Sequence, residues 1–108
     1  MKLSFCHNHP MAYTVSHKRG AELVLLAIDP FVALLEDTVY TDCNSTDQAH
    51  SAGDDHFFLE QLDYNAIRAD YVSRDSSYFK PHQAEVMVKQ FVSADLILNL
   101  DRPYRLSF

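Results

Sequence analysis

Glu85 is the first residue whose type and setting could do chemistry. It is one of four glutamates in the chain and lies within Gln83-Ala84-Glu85-Val86-Met87-Val88. The alternation predicts a strand over 84–91, with Ala84, Val86 and Val88 on one face and Glu85, Met87 and Lys89 on the other. A carboxylate projecting from a sheet among apolar neighbours is desolvated, which suits it to hydrogen bonding or to stabilising developing positive charge. The competing reading is a solvated face of an edge strand, with Glu85 pairing with Lys89.

Cys6-His7-Asn8-His9, with His17 one helix away, offers soft and borderline metal ligands, and an extended chain puts His7 and His9 on one side. Zinc sites normally show a second ligand pair, whereas Cys43, His50, His56 and His82 are scattered, so no metal is expected. A Cys–His nucleophile can be drawn from the same residues. Thr41-Asp42-Cys43-Asn44 marks the point where a β-branched stretch gives way to a polar loop. Small polar residues there either satisfy the turn's backbone or line a ligand pocket. Asn44-Ser45-Thr46 has the form of a glycosylation sequon, but no signal-peptide core accompanies it.

The elements that must position these residues are short. An edge strand is expected over 1–6. Pro10 at a helix start predicts a helix over 11–19, stopped by Gly20 in the left-handed conformation. The apolar run 22–28 predicts a buried central strand sharing one core with 84–91. Asp29-Pro30 caps a short helix over 31–36, and a strand follows over 38–41. Residues 42–55 read as a long loop with about one helical turn. Asp63 caps a helix over 64–71 that buries Ile67 and Tyr71. A polar connection covers 73–81, Ser93 caps one turn, and closing strands are expected over 96–100 and 104–108. Strands mixed with short helices, without regular βαβ alternation, indicate the α+β class.

Composition narrows the function. The 108 residues are 47% hydrophobic and 22% charged, enough for one folded domain and too apolar for disorder. Nine Lys and Arg against fifteen Asp and Glu give −6, which opposes non-specific phosphate binding. Two glycines cannot supply a Gly-rich phosphate loop. No apolar stretch approaches the roughly 20 residues that span a bilayer. Two cysteines without a secretion signal read as free thiols, so a cytoplasmic protein that does not engage membranes is expected.

Taken in order, four segments resemble DarT-type DNA ADP-ribosyltransferases. Phe5-Cys6-His7-Asn8-His9-Pro10-Met11-Ala12-Tyr13 resembles the segment in which Phe and a Pro-Arg-Ser-Pro-Met stretch precede a Tyr. Thr41-Asp42-Cys43-Asn44 resembles an Asp-Gly-Asn turn. Leu62-Asp63-Tyr64-Asn65-Ala66-Ile67 resembles the Leu-Asp-Trp-x-x-Ile helix, and Gln83-Ala84-Glu85-Val86-Met87-Val88 the Gln-Ala-Glu-Phe-Leu-Val strand whose Glu is catalytic. The resemblance implies a single ADP-ribosyltransferase-like domain over 1–108 with a split, bent β core and short helices. It implies NAD⁺ as substrate, ADP-ribose transfer to a base in single-stranded DNA, and a toxin–antitoxin setting. Glu85 takes the catalytic position, and the NAD⁺-contacting candidates are His7, Asn8, His9, Tyr13, Asp42 and Asn44. The segment from 73 to 82 takes the place of the substrate-recognition loop.

The family's Arg aligns with Asn8, which carries no fixed charge. The family's N-terminal portion aligns before Met1, so a shortened member is expected, either active or degenerate. The alternative is a non-enzymatic domain of the same fold that binds a protein partner such as an antitoxin or a host or phage target. Open strand edges also predict a homodimer or a partner covering the edge.

Overall fold

The computed structural model describes residues 1–89 and 91–106. Strand β1 (Lys2–Ser4) leads into helix α1 (Pro10–Arg19). His9 caps α1 by accepting the Met11 N–H on Nδ1, and Pro10 takes a position where its missing N–H costs nothing. Gly20, at φ 65°, ends the helix in the left-handed region expected for it. Strand β2 (Val24–Leu25) is followed by a 3₁₀ segment (Pro30–Leu34) that Asp29 caps through the Phe31 N–H. Strand β3 (Val39–Thr41) and strand β4 (Ala52–Gly53) come next. Three short helices follow: α2 (His56–Glu60), α3 (Tyr64–Ile67) and α4 (Phe79–His82). Strand β5 (Glu85–Met87), a 3₁₀ turn (Ala94–Leu96) capped by Ser93, and strand β6 (Tyr104–Arg105) complete the chain.

The main sheet is antiparallel, in the order β1-β5-β3-β4. Register explains its two faces. Leu3, Val86 and Tyr40 lie directly opposite one another across three strands, as do Ser4, Glu85 and Thr41. Opposed residues share a face, so the first row enters the core and the second lies on the other side. Val32, Tyr40, Val86 and Val88 form one buried cluster, and Leu62, Ile67 and Ala84 a second. Phe5, Phe58 and Leu59 pack against both clusters, tying α2 to the sheet. The alternation expected for Ala84, Val86 and Val88 is the one found.

Several expectations fail, each for a local reason. The 22–28 run is not a central strand: only Val24 and Leu25 pair, with β6, in a separate two-stranded sheet. Val24 is 56% exposed and Leu26 39%, and only Ile28 reaches the main core. A continuous apolar run signals burial without saying which neighbour covers it. The 42–55 loop contains β4, which pairs Thr41 with Ala52 and Tyr40 with Gly53. Helix α3 stops at Ile67, so Tyr71 is not buried but 85% exposed. Segment 96–100 makes only an isolated bridge between Ile97 and Ile28, with the Asn99 side chain fastening it to Ala27 N–H and Leu25 C=O. Gln90, Ser107 and Phe108, which fall in two expected strands, lie outside the described residues.

Candidate active site

Glu85 occupies the inner strand β5, flanked by β1 and β3, and is only 8% exposed. This excludes the solvated edge reading, and Lys89 instead pairs with Asp37 at 3.4 Å. The carboxylate is held from the loop after β3: Ser45 N–H donates to Oε1 at 2.7 Å. The Glu85 N–H donates to Thr41 Oγ1 at 3.2 Å, and that hydroxyl donates to the Cys43 carbonyl at 2.7 Å. Thr41 thereby stitches β5 to the start of the polar loop.

His9 feels the charge of the same carboxylate. Because its Nδ1 accepts the Met11 N–H at 3.1 Å, the neutral ring carries its proton on Nε2. Burial pushes the imidazole below its ordinary value. The negative charge of Glu85 and the Gln83 backbone oppose the shift, and the neighbouring His82 adds to it. His9 is 8% exposed, and its Nε2 makes no hydrogen bond of full geometry, with the Gln83 backbone as its nearest support. Among the described residues, two buried side-chain polar atoms are orphaned in this way, His9 Nε2 and Ser45 Oγ. Both belong to residues that act on Glu85, one by charge and one by hydrogen bond.

A cleft of about 800 Å³ opens beside this centre. Its lining includes Asn8, Tyr13 and Asn44 from the expected set, with Pro10, Thr14, the segment 70–74, Phe79, His82 and Gln83. Glu85 itself is not in the lining; Gln83, two residues before it, and Asn44, next to Ser45, form the adjoining wall. Volumes of this order suit a dinucleotide-sized or smaller ligand.

The other expected residues divide. The Asn8 amide donates to the carbonyls of Ala69 at 3.1 Å and Asp70 at 2.8 Å, so its donors tether that segment to the start of α1. Tyr13 stacks on His17, with centroids 3.9 Å apart. Asn44 Oδ1 accepts from Thr46 N–H and hydroxyl. Asp42 lies off the cleft, where its carboxylate accepts the Ser51 N–H at 2.8 Å. His7 is exposed and borders a different hollow of about 260 Å³, which His9 also lines.

Cys6 and His82 do meet, with Sγ 3.7 Å from Nε2, but their setting is structural. His82 is 1% exposed and donates from Nδ1 to the Ala66 carbonyl at 2.7 Å. Burial pushes the Cys6 thiol up, which disfavours a thiolate nucleophile. Among the described residues no group of three or more His, Cys, Asp or Glu could hold a metal ion, and no helix is long and apolar enough to cross a membrane.

Sequence reasoning did not single out Ser45, whose N–H bonds Glu85, or Gln83, Tyr71 and Arg74, which line the cleft. Ser45 was visible only as part of a sequon, while the 73–81 stretch read as a polar connection by composition and as part of the substrate-recognition loop by resemblance. Against known proteins, the family model described as "ssDNA thymidine ADP-ribosyltransferase, DarT" matches residues 1–101. No curated protein and no solved structure matches.

Proposed function

Since the chain belongs to the DarT family of ssDNA thymidine ADP-ribosyltransferases, we propose that it binds NAD⁺ in the cleft beside β5 and transfers ADP-ribose to a thymidine base in single-stranded DNA. On this reading the two sheets are the parts of a split ADP-ribosyltransferase β core within one domain. The observation that carries the proposal is the Glu85 centre, a buried carboxylate on the inner strand, held by the Ser45 N–H and adjoining a cleft of about 800 Å³.

The chemistry asks three things of such a centre. The bond between the nicotinamide nitrogen and the ribose carbon breaks, and its electron pair leaves with the nicotinamide. Positive charge develops on the ribose ring, and a fixed carboxylate in a desolvated site stabilises it. The thymine nitrogen then attacks that carbon, and its proton passes to Glu85. Ser45 N–H holds Oε1 in place and leaves the second carboxylate oxygen for substrate. His9 and Ser45 act on the carboxylate itself, His9 through charge and Ser45 through its N–H. On this reading Asn8, Tyr13 and Asn44 contribute to the NAD⁺ wall, while His7 borders a different hollow and Asp42 accepts the Ser51 N–H.

A non-catalytic domain that binds a protein partner is the second reading. It is favoured by Asn8, whose amide is committed to backbone carbonyls where the family carries a guanidinium. Calorimetry with NAD⁺, coupled to nicotinamide release in the presence of a thymidine-containing oligonucleotide, separates the two. Wild type is expected to bind and turn over. Glu85→Gln is expected to bind NAD⁺ with release reduced by about 10²–10³-fold, the scale of losing one transition-state electrostatic contact. Absence of binding at millimolar NAD⁺ overturns the transferase reading in favour of the second.

A further inference from the structure

Strand β1 ends the main sheet, so one of its edges has no strand beside it. The rungs of the ladder show which groups that edge carries. Met1 and Val88 exchange both main-chain bonds, each at 2.8 Å, so Met1 and Leu3 are the residues of β1 that bond β5. The N–H and C=O groups of Lys2 and Ser4 therefore point away from β5. A similar edge lies in the segment after β2. Asp29 N–H bonds the Leu96 carbonyl, Leu98 N–H bonds the Ala27 carbonyl, and the Asn99 side chain takes Ala27 N–H and Leu25 C=O. The backbone groups of Leu26 and Ile28 turn the other way. Among the described residues no hydrogen bond reaches the outward backbone groups of these four residues. Lys2, Ser4, Leu26 and Ile28 all line one hollow of about 620 Å³. Leu3, Val32 and Val86 of the main core also line it, which makes the space between the two bare edges apolar.

From these two edges we propose that the hollow is a slot for one extended segment of a basic protein partner. The segment bonds β1 on one side and Leu26 and Ile28 on the other, and so joins the two sheets into one. A polypeptide main chain is the ligand that offers alternate N–H and C=O groups to both edges at once. Its side chains alternate between faces, so every second residue enters the apolar hollow and the others face solvent. Charge selects the partner. The lining carries one Lys and one carboxylate, Lys2 and Asp29, so the chain's net −6 sets the field. That field draws a basic segment and opposes a second copy, which brings −6 of its own. The inference stands apart from the transferase reading, because the slot and the cleft beside β5 share no lining residue among those described.

Fluorescence anisotropy with a labelled, end-capped heptapeptide of alternating valine and lysine tests the proposal. Saturable binding is expected, and N-methylating alternate amides of the peptide is expected to weaken it by about tenfold or more, because several main-chain bonds are lost together. Ser4→Pro and Leu26→Pro each remove one outward N–H without breaking an existing backbone bond, and each is expected to weaken binding by about two- to tenfold. Thermal unfolding shows whether both variants are folded, and the N-methylated peptide tests the same bonds on the unaltered protein. A peptide with glutamate in place of lysine is expected to bind more weakly at low salt. Absence of saturable binding at millimolar valine–lysine peptide overturns the proposal, as does equal binding of the N-methylated or the glutamate peptide. A dimer seen by light scattering that Ser4→Pro dissociates assigns the slot to a second copy and likewise overturns it. Peptide binding by a protein that does not bind NAD⁺ sustains the slot and removes the transferase reading.

Discussion

Replacing Asn8 with Ala removes two hydrogen bonds that join the start of α1 to the cleft wall 61 and 62 residues away. Each bond runs from a neutral amide to a backbone carbonyl, a type that contributes about 0.5–1.5 kcal/mol net. The bond to Ala69 is partly buried and the one to Asp70 exposed, so the first sits near the middle of that range and the second near its lower end. Together they contribute about 1–2 kcal/mol, which lowers the melting temperature of a domain this size by about 4–8 °C. Asn8→Asp is expected to cost more, because a carboxylate would face two carbonyl acceptors. Thermal unfolding followed by circular dichroism reads the stability, and calorimetry reads NAD⁺ affinity. The reasoning also requires NAD⁺ affinity to fall, since the 70–74 wall is no longer held. A melting temperature within a degree of wild type for both variants would refute the tethering role and return Asn8 to the ligand-contacting set.

Further outcomes follow from the same contacts. Val86→Ala opens the main core cluster and is expected to destabilise by about 2 kcal/mol, measured by urea unfolding. Gly53→Ala brings a Cβ to 2.6 Å from the Phe58 ring, so a loss of about 1–3 kcal/mol is expected unless that ring can rotate away. His9 resists protonation in the fold, so the unfolded chain binds more protons as pH drops below the ordinary 6.5. Stability is therefore expected to be full above that value and to decline beneath it, with a shallower decline in His9→Gln, as chemical denaturation across pH 5–8 would show. Burial, with Asp42 and Asp47 nearby, pushes the Cys43 thiol up to about 11, so alkylation at pH 8 is expected only after unfolding.

What the sequence made legible were the features decided by neighbours along the chain. Pro10 and Gly20 bracket α1, Asp29 and Ser93 cap their turns, and Asp63 caps α3, because capping needs only a side chain and an N–H two or three residues on. Alternation likewise revealed the two faces of β5 and hence the special position of Glu85. The failures came from long-range pairing. Nothing in 22–28 says that its partner is Tyr104–Arg105, and nothing local predicts that Asn8 reaches across to the carbonyls of Ala69 and Asp70. The site was half visible for the same reason. Glu85 is marked by its own strand, but Ser45 becomes part of the centre only when β3 pairs with β5 and carries the following loop over the carboxylate.

The central claim, that Glu85 drives ADP-ribose transfer from NAD⁺ to a thymidine base, is tested most directly by mass spectrometry of a single-stranded thymidine oligonucleotide incubated with NAD⁺ and either wild type or Glu85→Gln. The account predicts an oligonucleotide heavier by one ADP-ribose with wild type, and the unmodified strand with Glu85→Gln. An adduct of equal yield from both proteins, or from neither, would contradict it.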